Sequence, residues 1–91
     1  MENQEEFLKR ADAHIFLANE QISEEVTSGE VSASFMYGMT RFNAWIAACE
    51  FESAEDMSTE KEKVIEYFSN QYKNMLEEHI NNHIEHFDFK K

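Results

Sequence analysis

The sequence contains no proline, two glycines and a single cysteine in 91 residues. Without proline nothing forces an interruption of a helix, and with two glycines few positions favour a tight turn. One cysteine cannot close an internal disulfide, nor can it supply the cysteine pairs of a structural zinc site. Cys49 lies in an apolar stretch and is expected to be a buried small hydrophobe rather than a nucleophile. Basic residues are also scarce. Eight Lys plus Arg stand against nineteen Asp plus Glu, a formal charge of −11. That balance repels phosphate and anionic lipid, so neither nucleic acid nor a membrane surface is an expected partner. The longest apolar run, residues 44–49, falls far short of the roughly 20 residues that span a bilayer. The first six residues are polar and acidic, without the basic and apolar regions of a signal peptide. A reducing, cytoplasmic setting is expected.

What is present is enough for one small core. The apolar fraction is 42% and twelve residues are aromatic (one Trp, three Tyr, eight Phe), so the composition is not that of a disordered chain. The charge is unevenly spread. Residues 1–30 carry eight acids and two bases, and residues 50–63 six acids and two bases, whereas residues 31–49 carry only Arg41. An almost neutral segment between acidic flanks has the layout of a buried central element.

Helical periodicity organises the chain into three elements. Leu8, Ala11, Ile15, Ala18, Ile22 and Val26 recur at three- and four-residue steps, predicting a helix from about residue 3 to 26 or 27. Gly29 follows where a left-handed terminal residue is wanted. Phe16 and Leu17 lie off this face, exposed singly or touching a second chain. Ser32 is a plausible N-cap for a second helix over about 33–49. Its Phe35, Met39, Phe42, Ile46 and Cys49 form one apolar seam. Its other side carries Tyr37, Thr40, Ala44, Ala47 and Ala48, with Gly38 and Trp45 on a flank. A helix apolar nearly all round needs cover on both sides. The small residues Thr40, Ala44 and Ala48, four apart, would let another helix approach closely. Ser53 and Asp56 suit a short capped turn. Thr59 and Glu62 match a capping box that opens a third helix running to about residue 87. The last residues, 88–91, are expected to fray.

Candidate chemistry is thin. His79, His83 and His86 lie at i, i+4 and i+7 on one side of the third helix, and two imidazoles at that spacing can share a divalent metal. No acid stands as a further ligand, since Asn82 occupies the position where a carboxylate would help. Histidines near a helix C-terminus are also favoured by the dipole. Arg41 is expected to pair with a carboxylate such as Glu20 or Glu66, or to contact an anion or partner beside Asn43 and Trp45. His14 has no evident nucleophile, and Ser32 and Ser58 read as caps. Tyr37, Phe42 and Trp45 read as core rather than as a ligand cage. The motifs G-x-G-x-x-G, G-K-[ST] and H-E-x-x-H do not occur.

The run Gly29-Glu30-Val31-Ser32-Ala33, then Tyr37, then Arg41-Phe42-Asn43-Ala44-Trp45, resembles a family of short acidic proteins from proteobacteria known only as a domain of unknown function. Ser53-Ala54-Glu55, Tyr67-Phe68, Gln71-Tyr72 and Met75-Leu76 look like its later blocks, so the resemblance covers roughly residues 5–84. It implies an all-helical cytoplasmic protein with no assigned activity, and it directs attention to the second helix. The family pattern does not feature His79 and His83, and the stretch after Ile84 looks like a private extension.

Together these observations predict a single all-α domain over residues 3–88. It would be a three-helix antiparallel arrangement with a largely apolar central helix, forming a homodimeric helical bundle. The expected function is a non-catalytic homo-oligomeric interaction or adaptor protein, with no cofactor and no enzymatic activity. Its interaction surface would be Tyr37, Thr40, Arg41, Asn43, Ala44, Trp45 and Ala48, and a basic protein is a possible further partner. The alternative is a metal-binding module built on His79, His83 and His86. A nucleic-acid mimic is disfavoured, because the acids are scattered over two helices and a loop.

Overall fold

The computed structural model describes residues 3–90. Among them the regular elements are three helices, α1 (Gln4–Gln21), α2 (Ser28–Ala48) and α3 (Ala54–His86), so the all-α expectation holds. The boundaries differ from those predicted, and each difference has a local cause.

α1 begins where Asn3 accepts the backbone N–H of Glu6 at 2.9 Å. Glu5 and Glu6 in the first turn complement the positive end of the helix dipole. The helix ends five residues earlier than its apolar pattern, with Ile22 already extended at φ −76° and ψ 132°. The cause is Ser23, whose hydroxyl accepts the N–H groups of Glu25 and Val26 at 3.1 and 3.2 Å. A serine that satisfies nearby backbone donors offers the chain an alternative to the helix.

α2 starts earlier than predicted, and Ser32 lies inside it. The cap is Thr27. Its hydroxyl accepts the N–H of Glu30 at 3.1 Å, while the Glu30 carboxylate accepts the N–H of Thr27 at 2.9 Å. This is a reciprocal capping box, with both orphan donors satisfied. Gly29 therefore sits in the first turn of α2 and not after the end of α1; among the described residues no glycine has a positive φ.

The expected short turn and third helix are one continuous helix of 33 residues. Ser53 caps it, accepting the N–H of Asp56 at 3.0 Å. Thr59, the predicted start, is one turn inside and donates its hydroxyl to the Glu55 carbonyl at 3.1 Å. Ser58 is likewise interior. At about 1.5 Å per residue α3 is roughly 50 Å long. Its end is closed by the Phe87 N–H bonding the His83 carbonyl at 2.8 Å.

The chain divides into two compact units, Met1–Ile46 and Ala47–Lys91. The first holds α1, the connection 22–27 and all of α2 except its last two residues. Its covered positions are Val31, at 4% exposure, and the half-buried Ala11, Ala18, Met39 and Asn43. The second holds the end of α2 and α3, with Ala47 buried at 9% and Phe51, Met57, Glu60, Val64 and Phe68 half-buried. Within these units taken by themselves α2 is covered only in part. Val31 and Ala47 alone among the described apolar residues are buried, and α2 presents most of its large side chains to solvent.

Candidate functional site

The feature that needs explanation is the uncovered side of α2. Its covered positions, Val31, Met39, Asn43 and Ala47, follow one another around a single side at the helical repeat. The residues away from them are Tyr37, Gly38, Thr40, Arg41, Ala44, Trp45 and Ala48, all exposed. Six of the seven residues expected at an interaction surface fall here. Asn43 does not, because it is half-buried on the covered side.

The exposed strip has internal order. Arg41 places its guanidinium 5.7 Å from the centroid of the Tyr37 ring, one turn away. The expected ion pair with Glu20 does not form; among the described residues of its own unit Arg41 has no carboxylate partner. A guanidinium over an aromatic face is attracted by the ring quadrupole, typically by about 0.5–1 kcal/mol at an exposed site. On the neighbouring flank Phe42 and Trp45 stand with ring centroids 6.0 Å apart and a 36° tilt. Both are 60% exposed. The expectation that Tyr37, Phe42 and Trp45 belong to the core is therefore corrected. The Phe42 and Trp45 rings pair with each other on the surface of the helix, and Tyr37 stands apart from them beside Arg41.

Small residues shape the rest of the strip. A Cβ built on Gly38 would meet nothing within 4 Å, so the space above it is open. Thr40 donates its hydroxyl to the Tyr37 carbonyl at 3.0 Å. The polar end of Thr40 is thereby satisfied within the helix, and it adds little polarity to the strip. Ala44 and Ala48 continue the row. Thr40, Ala44 and Ala48 thus share one row of small side chains with Tyr37 on the same side, and Gly38 lies on the flank beside Trp45.

Cys49 is exposed, which corrects its expected burial. α2 stops at Ala48, and the turn that follows carries Cys49 out of the helical repeat. There the N–H groups of Glu50 and Phe51 take the Ala47 and Ala48 carbonyls at 3.0 and 3.1 Å.

The histidines occupy the last two turns of α3. His83 packs edge-on against Phe87, with centroids 5.5 Å apart, and Phe87 against Phe89 at 5.0 Å. His79, His83 and His86 share the helix as predicted, but they do not form a three-ligand group. Among the described residues no three of His, Cys, Asp and Glu come close enough to hold a metal ion. No helix of the described residues is long and apolar enough to cross a membrane.

Fold and surface together define a class: a small, acidic, all-helical protein whose distinguishing feature is an uncovered aromatic and small-residue face on its middle helix. The chain belongs to the family described as "Protein of unknown function (DUF3144)", whose model matches residues 7–84. That span includes α2 and ends at Ile84, where the resemblance read from the sequence also ends. Among solved structures the chain is similar to the NMR structure of the protein NB7890A from Shewanella sp. Identity is 41%, the TM-score is 0.79, and the match covers 94% of this chain and 91% of that one. No curated protein matches the chain.

Proposed function

We propose that the protein is a non-catalytic interaction protein that assembles as a homodimer through the exposed face of α2. It acts in the cytoplasm as an adaptor. Tyr37, Thr40, Arg41, Ala44, Trp45 and Ala48 supply the contact, and Asn43 supports it from the covered side.

The observation that carries this reading is the exposure of large apolar side chains around α2. On the face away from Val31, Met39 and Ala47, Tyr37 and Trp45 are 65% and 60% exposed; Phe35, Phe42 and Ile46, on the Met39 side, are still 40–60% exposed in the isolated chain. Folded monomers seldom leave contiguous apolar patches of more than a few hundred Å2 uncovered. A second copy is the cover of choice because the small residues admit a helix closely and a two-fold interface uses the same patch twice. The aromatic and Arg content matches the residue types that dominate binding energy at interfaces. The acidic flanks remain outside, where they keep the assembly in solution and steer a basic protein partner toward it.

The test is sedimentation equilibrium at tens of micromolar. The wild type is expected at twice the 10.8 kDa chain mass. Ala44→Glu, which puts a charge among the small residues of the α2 face, is expected to weaken self-association at least tenfold with its helical circular dichroism retained. A monomeric wild type would overturn the reading, as would an Ala44→Glu variant that self-associates as tightly as the wild type.

A further inference from the structure

A second uncovered face lies at the other end of the sequence. In α3 the half-buried residues are Met57, Glu60, Val64 and Phe68; from residue 69 to residue 90 every side chain is exposed. Yet this half of the helix is apolar along one side. Tyr72, Met75, Leu76, Ile80, Ile84 and Phe87 recur at three- and four-residue steps and are exposed by 41–67%. His79 and His83 lie within the same half of the circumference, while Glu77, Glu78 and Glu85 lie on the other.

Intrinsic propensity does not explain why this half is helical. It contains Asn70, Asn74, Asn81 and Asn82 together with three histidines, all weak helix formers. Segments of this length are marginal without packing. The helix therefore calls for a partner along its apolar side.

We infer that the C-terminal halves of α3 from two copies pair with each other, antiparallel, along the Tyr72–Phe87 seam. Two arguments select a second copy as the occupant. The first is area. Large side chains bury on the order of 200 Å2 each, so six of them half exposed offer on the order of 500 Å2. A stable complex buries about 800 Å2 per partner, roughly 60% of it apolar. The seam supplies that apolar share. The second is charge. Two chains of charge −11 repel least where the facing surfaces hold no carboxylate; the seam holds Lys73 and the histidines, with Glu77 only at its border. Antiparallel packing also opposes the helix dipoles favourably and keeps the acidic first halves of α3 (Glu55, Asp56, Glu60, Glu62 and Glu66) apart. The seam is distinct from the α2 face, and this inference shares with the proposed function only the premise that two copies meet.

Cysteine cross-linking tests it in the full chain, with Cys49→Ser removing the native thiol. The midpoint of residues 72–87 falls between His79 and Ile80. In an antiparallel pair Ile80→Cys meets its counterpart, whereas Tyr72→Cys is separated from its own by about 15 residues of rise, roughly 22 Å. Phe87→Cys is separated by the same amount. The expected result is a disulfide-linked dimer from Ile80→Cys at least tenfold faster than from either end position. Equal cross-linking at all three positions would mean parallel pairing and would overturn the inference. Absence of cross-linking at Ile80→Cys in a chain that still sediments as a dimer would also overturn it, leaving the α2 reading intact. Efficient cross-linking at Ile80→Cys combined with an Ala44→Glu variant that dimerises as tightly as the wild type would support the α3 seam and remove the α2 one.

Discussion

Individual polar side chains set where the helices begin, and their contributions can be measured one at a time. Thr27 and Ser53 each satisfy an otherwise unpaired N–H at a helix start. Replacing either by Ala is expected to cost about 1 kcal/mol. For a chain of this size that lowers the thermal midpoint by roughly 4–8 °C per kcal/mol. Thr59→Ala is expected to change stability by less than about 0.5 kcal/mol, because its hydroxyl is one turn inside the helix and returns to the Glu55 carbonyl. Thermal denaturation followed by circular dichroism separates the three. A Thr59→Ala loss equal to that of Ser53→Ala would contradict the assigned start of α3. The sequence contained both candidates, since Ser53 with Asp56 and Thr59 with Glu62 share the spacing of an N-terminal cap. Four residues carry no information about which of two nearby caps is used. The choice rests on the stretch between them, where nothing prevents helix, so the first cap wins.

At the scale of the element, α2 is the unusual helix. It contains Gly38 in its interior, a position that costs roughly 0.5–1 kcal/mol relative to Ala. Nothing lies within 4 Å of the Cβ that Ala would bring. Gly38→Ala is therefore expected to raise the thermal midpoint by a few degrees; a decrease would show that a partner already fills the space above Gly38. Trp45→Ala is expected to weaken self-association at least tenfold, by the logic that exposed aromatic anchors carry interface energy. Chain stability extrapolated to low concentration should be nearly unchanged. Periodicity made the existence and type of all three helices legible. It did not reveal that α1 stops at Gln21, because Ile22 and Val26 continue the apolar spacing while Ser23 diverts the backbone. Nor could spacing tell a covered face from an uncovered one. Phe42 and Trp45 have the residue types of a core, and their exposure appears only once the chain is folded.

For the whole molecule, charge and apolar surface oppose each other. Two copies of charge −11 repel, while the proposed pairing of the apolar faces of α2 and α3 would draw them together. Screening shortens the repulsion from a range of about 10 Å at 0.1 M salt to about 3 Å at 1 M. Self-association is thus expected to tighten several-fold over that range, as read from the dissociation constant by sedimentation. Weakening with salt would point instead to an interface held by ion pairs. The layout of an almost neutral segment between acidic ones is legible in the sequence, and so is the excess of apolar surface on α2 that asks for cover beyond its own unit.

The central claim is that the apolar faces left open in one chain are closed by another. Sedimentation equilibrium of the wild type at tens of micromolar, without any fusion, tests it most directly. A mass of twice 10.8 kDa is the predicted result. A single species at the mass of one chain across that concentration range would contradict it.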